Sequence, residues 1–151
     1  MRRREQLRRA LNWINLSTAC GFLLAKLSHS DRRPTPDGHY LATSYHWPVP
    51  VAGAFTIGDV IFTRSAHSTN SDPYSPLDAH VWSHELMHSN QYAWCLGLPF
   101  IPLYFSACAY SYLMSGDIWS YNIFETRANL DAGGYVKSQR RAAITRFTNS
   151  A

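Results

Sequence analysis

Residues 78–95 run Asp78-Ala79-His80-Val81-Trp82-Ser83-His84-Glu85-Leu86-Met87-His88-Ser89-Asn90-Gln91-Tyr92-Ala93-Trp94-Cys95. The stretch holds no Gly or Pro. It opens on a residue suited to capping and is followed by Gly97 and Pro99. It therefore predicts a helix capped by Asp78 that runs to about Cys95. At its centre is H-E-x-x-H. Residues four apart on a helix share one face, one turn apart, so His84 and His88 can reach a single metal ion. Glu85 projects to the side, where it can take a proton from a metal-bound water. Two imidazoles and a carboxylate among apolar neighbours are costly unless paired or coordinated.

A catalytic zinc site uses three protein ligands and keeps one position for water. Glu occurs only as Glu5, Glu85 and Glu125. Glu5 lies in an Arg-rich stretch. Glu125 lies in Asn122-Ile123-Phe124-Glu125-Thr126-Arg127-Ala128, far enough along for a second helix to return against the first. Scarcity and position favour Glu125 as third ligand; the alternative is a surface Glu paired with Arg127. His80 shares the motif face, but three imidazoles at this spacing cover about 12 Å. His80 is better read as a neighbour of the site, a substrate-side group or an exposed residue. Asp131 is a candidate to hydrogen-bond a ligand imidazole, as metal-bound His requires. Asp117 and His67 are weaker ligand candidates. Gln91 extends the ligand face by a turn, to hold a ligand carboxylate, line a cleft or cap the helix. Tyr135, after Gly133-Gly134, is a weak candidate donor to an oxyanion.

The 151 residues suffice for one domain with a core. They are 46% hydrophobic and only 16% charged, which argues against disorder. The net charge of +4 is matched by Arg2, Arg3, Arg4, Arg8 and Arg9 against Glu5. A solvated basic tip explains this, with contact to anionic lipid as the alternative; no nucleic-acid partner is expected. Cys20, Cys95 and Cys108 have no framework spacing and read as small core residues, which points to a reducing cytoplasm. Peripheral attachment to the inner face of a membrane is the alternative location.

Leu11 to Leu27 is a poor signal-peptide core. Leu7, Ala10, Leu11 and Ile14 have helical spacing and predict an amphipathic helix packed on the domain, continuing to Leu27 with a break near Gly21. Ser89 to Gly116 carries no Asp, Glu, Lys or Arg. Its uninterrupted part, Pro102 to Ser115, would be about 21 Å long as a helix. A bilayer core needs about 30 Å, so a buried helix is expected. A span there would also separate Glu125 from the histidines. Ser30 to Gly38 reads as a turn-rich linker. Tyr40 to Trp47 and Ala54 to Thr63 read as two strands, as in a hairpin with a long loop. Ser65 to Pro76 reads as a loop. A third core helix is expected from Trp119 or Tyr121 to Ala132, ended by Gly133-Gly134.

At His84, Glu85, His88 and Glu125 the chain resembles the zincin metallopeptidases, and within them the gluzincin type. The longer pattern H-E-x-x-H-x-x-Q-Y, followed by N-x-F-E-x-x-A, is similar to small uncharacterised bacterial proteins. The resemblance covers roughly residues 56–135. It implies Zn2+ held by His84, His88 and Glu125, with Glu85 as general base. It also implies a small sheet over the active-site helix, with Tyr40–Trp47 or Ala54–Thr63 as the strand that pairs with a peptide or protein substrate. The chain departs from large gluzincins in carrying Phe124, not Asn, directly before Glu125, and in having no substrate domain.

The expectation is thus an α+β, zincin-like fold. Residues 1–30 would form a basic helix packing on the domain, 31–140 the metal-binding domain and 141–151 a flexible tail. The expected function is zinc-dependent hydrolysis by a minimal metallopeptidase. The alternatives are a zinc-stabilised binding module without catalysis, its fourth position blocked by a side chain such as His80, or a helical domain that docks on membranes or partners. The sequence leaves the oligomeric state open.

Overall fold

The computed structural model describes residues 3–65 and 77–141. His67, the loop around it and the last ten residues lie outside the described residues. The fold is α+β. Five helices are seen: α1 (Arg3–Ile14), α2 (Ser17–Leu27), α3 (Ala79–Trp94), α4 (Phe100–Ser115) and α5 (Ile123–Arg127). Four short strands, β1 (Asp31–Pro34), β2 (Tyr40–Thr43), β3 (Ala54–Ile57) and β4 (Val60–Thr63), make one mixed sheet. Its order is β1-β2-β4-β3, with β2 and β4 parallel and the other pairs antiparallel.

The helix carrying H-E-x-x-H falls where the sequence places it. Asp78 caps it, accepting from the His80 amide at 2.8 Å. The N-terminal helix differs from its expected form. The break comes at Leu16, whose φ is 65°, and not at Gly21. Gly21 instead lies inside α2 where the sheet passes closest: a Cβ there would meet Ile57 O at 2.6 Å and the Val60 side chain at 2.8 Å. The two expected strands become three, and a fourth comes from the expected linker. Ala54 to Thr63 folds back on itself at Gly58-Asp59, and Gly58, at φ +60°, sits where a Cβ would lie 2.4 Å from the Thr18 amide. Tyr40 to Trp47 stops at Thr43, because Ser44 turns into the left-handed region at φ 61°. The polar Asp31–Pro34, expected as part of a linker, pairs with β2 as a fully exposed edge strand. The third helix ends at Arg127, five residues before its expected end, as the chain turns at Asn129 with φ 70°.

The apolar core lies between α2 and the sheet, where Ala25, Ala42, Tyr45, Val60 and Phe62 pack with Phe22, Tyr40, Phe55 and Ile57. β4 is buried along its whole length. α1 is fixed by polar contacts. Arg8 and Asn12 are its buried residues, while Leu7 and Ile14 face outward. The expected amphipathic helix is thus packed by its polar side.

The Asp59 carboxylate explains this inversion. Its Oδ1 accepts from Asn12 Nδ2 at 2.9 Å and Ser89 Oγ at 2.8 Å, and Oδ2 from Thr18 Oγ1 at 3.2 Å. Arg8 Nε stands 3.2 Å from Oδ1, and both side chains are buried. The Arg8 guanidinium also donates to His39, whose Nδ1 lies 3.2 Å from Asp37. Burying Arg8 costs solvation, so its guanidinium pKa is lowered despite Asp59.

Removing one partner of such a pair leaves a buried charge alone. Asp59→Ala is expected to lower the unfolding free energy by about 3–5 kcal/mol in a denaturant titration. An effect within the range of an ordinary surface substitution would show that this network does not hold α1 in place.

Candidate metal centre

α3 presents His84 and His88 on one face, and α5 brings Glu125 against them. His84 Nε2 lies 3.1 Å from Glu125 Oε2, His88 Nε2 lies 3.6 Å from Oε1, and the two Nε2 atoms are 3.1 Å apart. Among the described residues these three form a group whose ligand atoms all lie within 4.8 Å of one another. All are buried: His84 is 2%, His88 8% and Glu125 1% exposed.

The surrounding hydrogen bonds fix which nitrogen of each ring faces inward. His84 Nδ1 is 3.0 Å from the Asn129 carbonyl, which can only accept, so Nδ1 carries the proton. Gln91 Nε2 donates to the Phe124 carbonyl at 2.8 Å. This orients the amide so that Oε1 accepts from His88 Nδ1 at 2.8 Å. Both rings therefore turn an Nε2 lone pair toward the Glu125 carboxylate. Glu125 Oε2 is fully buried with no hydrogen-bond donor of its own. Acceptors converging at about 3 Å repel one another unless a cation or a proton sits among them. The donor set and its spacing therefore fit a metal ion.

Charge on the three groups follows. With a proton on His84 Nε2 in place of an ion, burial opposes ionisation of Glu125, but the hydrogen bond from that ring, the charge of His88 and the hydroxyl of Tyr104 outweigh it and hold the carboxyl below its ordinary range. Burial likewise opposes a charged His84, yet Glu125 and the Asn129 carbonyl push its pKa up overall. Glu85 behaves in the opposite way. It is 4% exposed, and burial raises its pKa although His88 and Thr56 pull the other way. Its Oε2 accepts from Thr56 Oγ1 on β3 at 2.7 Å. Two carboxylates one helix contact apart are thus driven in opposite directions, as in sites that separate an acid–base role from a ligand role.

α5 is only five residues long, and its position is set from outside. Asn122 caps it, accepting from the Phe124 amide at 2.9 Å. Asn122 also donates to Cys108 Sγ at 3.3 Å, tying the cap to α4. Tyr104 of α4 donates to Glu125 Oε1. Burial first, and the Glu125 charge next, raise the Tyr104 pKa, so its hydroxyl stays a donor.

Gln91 is in place beside the site, but it orients the His88 ring and does not hold a carboxylate. Tyr135 stands beside His84, with ring centroids 6.1 Å apart, and stacks on Trp119 at 4.4 Å. Burial, then the charges of Glu125 and Glu85, raise its pKa. His80 is exposed at the start of α3 and is not in the ligand group. Asp131 is exposed, and the Asn129 main chain takes the His84 proton in its stead. Asp117 caps the turn after α4, accepting from the Trp119 and Ser120 amides at 2.8 Å. Thr56 and Tyr104 were not evident in the sequence: one Thr and one of 9 Tyr carry no spacing signal. Asn122, three before Glu125, is of a residue type suited to capping, a signal that could have placed the start of α5.

No protein-family model, no curated protein and no solved structure matches this chain. The functional reading rests on the site itself.

Partners that orient a ligand imidazole tune metal affinity by about 10–100-fold. Gln91→Ala is therefore expected to weaken metal binding by about that factor in a chelator competition. Unchanged affinity would show that the Gln91 bridge does not set the His88 ring.

Proposed function

We propose that the chain is a zinc-dependent hydrolase, a minimal metallopeptidase, with His84, His88 and Glu125 as ligands and Glu85 as general base. The observation that carries this reading is the convergence of two Nε2 lone pairs and a buried carboxylate, whose Oε2 has no donor, beside a second, separately held carboxylate. Two imidazoles and one carboxylate suit zinc, whereas calcium and magnesium favour all-oxygen shells. Tetrahedral zinc with bonds of about 2.0–2.1 Å needs ligand atoms about 3.3–3.4 Å apart; the two Nε2 atoms are 3.1 Å apart, and each ring lies near one Glu125 oxygen, His84 at 3.1 Å from Oε2 and His88 at 3.6 Å from Oε1. Bound there, zinc supplies a Lewis acid that polarises a carbonyl and lowers the pKa of a water.

The chain's own groups do the rest. Thr56 holds one oxygen of Glu85, which fixes the carboxylate while the other oxygen takes the proton of the attacking water. Glu85 then passes that proton to the leaving amine. The Tyr135 ring stands 6.1 Å from the His84 ring, between centroids, and its hydroxyl is the candidate donor to the oxyanion. β3, which carries Thr56, is an edge strand packed beside α3, the arrangement that lets an extended peptide add to a sheet.

The depth of the site favours a second reading, a zinc-stabilised binding module, because Glu85 and the three ligands are each less than a tenth exposed. One experiment separates the two. Wild type and Glu85→Gln are each measured for zinc content and for cleavage of a peptide library. The hydrolase reading expects equal zinc in both and a rate about a hundredfold or more lower in the variant. Equal zinc with no cleavage by wild type supports the binding module. Cleavage by the variant at the wild-type rate overturns the role of Glu85.

A further inference from the structure

α1 is packed inside out. Its inward stripe is Arg8 and Asn12, and its outward stripe is Leu7, Ala10 and Ile14. That outward stripe ends at a corner shared with a second apolar turn. Asn15 Nδ2 donates to the Tyr92 carbonyl, and Gly97 lies so close to Asn15 that a Cβ would be 2.6 Å from its Cγ. The α1–α2 corner and the α3–α4 corner are therefore one surface. Ile14 is 77%, Leu16 60%, Trp94 84% and Leu96 75% exposed on it. Leu16 and Leu96 both hold positive φ, at 65° and 60°, a conformation a branched apolar residue rarely takes. The backbone is bent at both corners, and each bend leaves a leucine out in solvent.

The surface continues along α4. This helix buries one stripe, Phe100, Cys108 and Ser111, and its outer face carries Leu103, Phe105 and Leu113. An ordinary surface helix of a water-soluble domain is polar on that side. Neither residues 10–25 nor residues 86–116 contain an Asp, Glu, Lys or Arg, and these two segments build the whole surface. Cations stand at its margins. Arg3 and Arg4 are exposed at the far end of α1, and the Arg141 guanidinium lies 5.2 Å from the Tyr112 ring at the end of α4.

We propose that this face docks on the surface of an anionic lipid bilayer. An uncharged patch with Trp and Tyr, cations at its edge and a net charge of +4 matches an anionic interface. The same charge opposes a second copy as occupant, since two such molecules repel. Among the described residues no helix is long and apolar enough to cross a membrane, so the proposed contact is with the surface of the bilayer. None of its side chains belongs to the group of His84, His88 and Glu125, and docking is independent of the hydrolase reading.

The test uses the full chain with vesicles of phosphatidylcholine alone or mixed with phosphatidylglycerol. Co-sedimentation with the mixed vesicles is expected, weaker with phosphatidylcholine alone, and accompanied by a blue shift of Trp fluorescence. Leu16→Glu with Leu96→Glu changes two exposed side chains and is expected to lower partition by about tenfold or more. The far-UV circular dichroism of that variant, compared with wild type, checks that it is folded. Wild type that binds neither vesicle, or a folded variant that binds as tightly as wild type, overturns the proposal. So does a concentration-dependent dimer, seen by light scattering, that the two substitutions abolish, because the occupant is then another copy.

Discussion

The buried Asp59 carboxylate is the contact on which the arrangement of this chain depends. It sits in the two-residue turn between β3 and β4 and gathers donors from α1, α2 and α3. A group with this many partners cannot be moved without stranding several of them. It therefore fixes how three helices meet the sheet, including α3, which carries His84 and His88. Ser89, which bonds Asp59, follows His88 directly, so one helix turn is anchored to the polar hub on one side and to the metal centre on the other.

The parts legible in the sequence are those with strong local signals. Asp78 and the Gly97 break bounded α3, and the histidine spacing put His84 and His88 on one face. Glu125 was reached by scarcity, since only three Glu exist, and the structure places it against both histidines. What failed did so for tertiary reasons. Gly21 looked like a break, but the close approach of Ile57 and Val60 requires the missing side chain within a helix. Asp31–Pro34 has no strand pattern, because an exposed edge strand needs no apolar alternation.

The orientation of α1 is the instructive error. Its apolar spacing is real, and the usual rule turns that stripe to the core. Here Asp59 recruits Arg8 and Asn12, and the helix rotates its polar side inward. Periodicity reports that a helix has two unlike faces. Which face is buried depends on what waits beneath it, and a buried carboxylate 47 residues further on from Asn12 is not visible to a local pattern.

α5 has five residues, too few to be stable alone in water. Yet it delivers Glu125. Its shape is borrowed from the Asn122 cap, the Tyr104 hydroxyl, the Gln91 amide and the two imidazoles across from it. Any ion held at this centre therefore also does the work of folding that segment. The affinity measured for the ion is its intrinsic coordination energy less the cost of ordering residues 122–135. Substitutions in the segment that never touch the ion then change occupancy by changing how often a complete set of ligands exists.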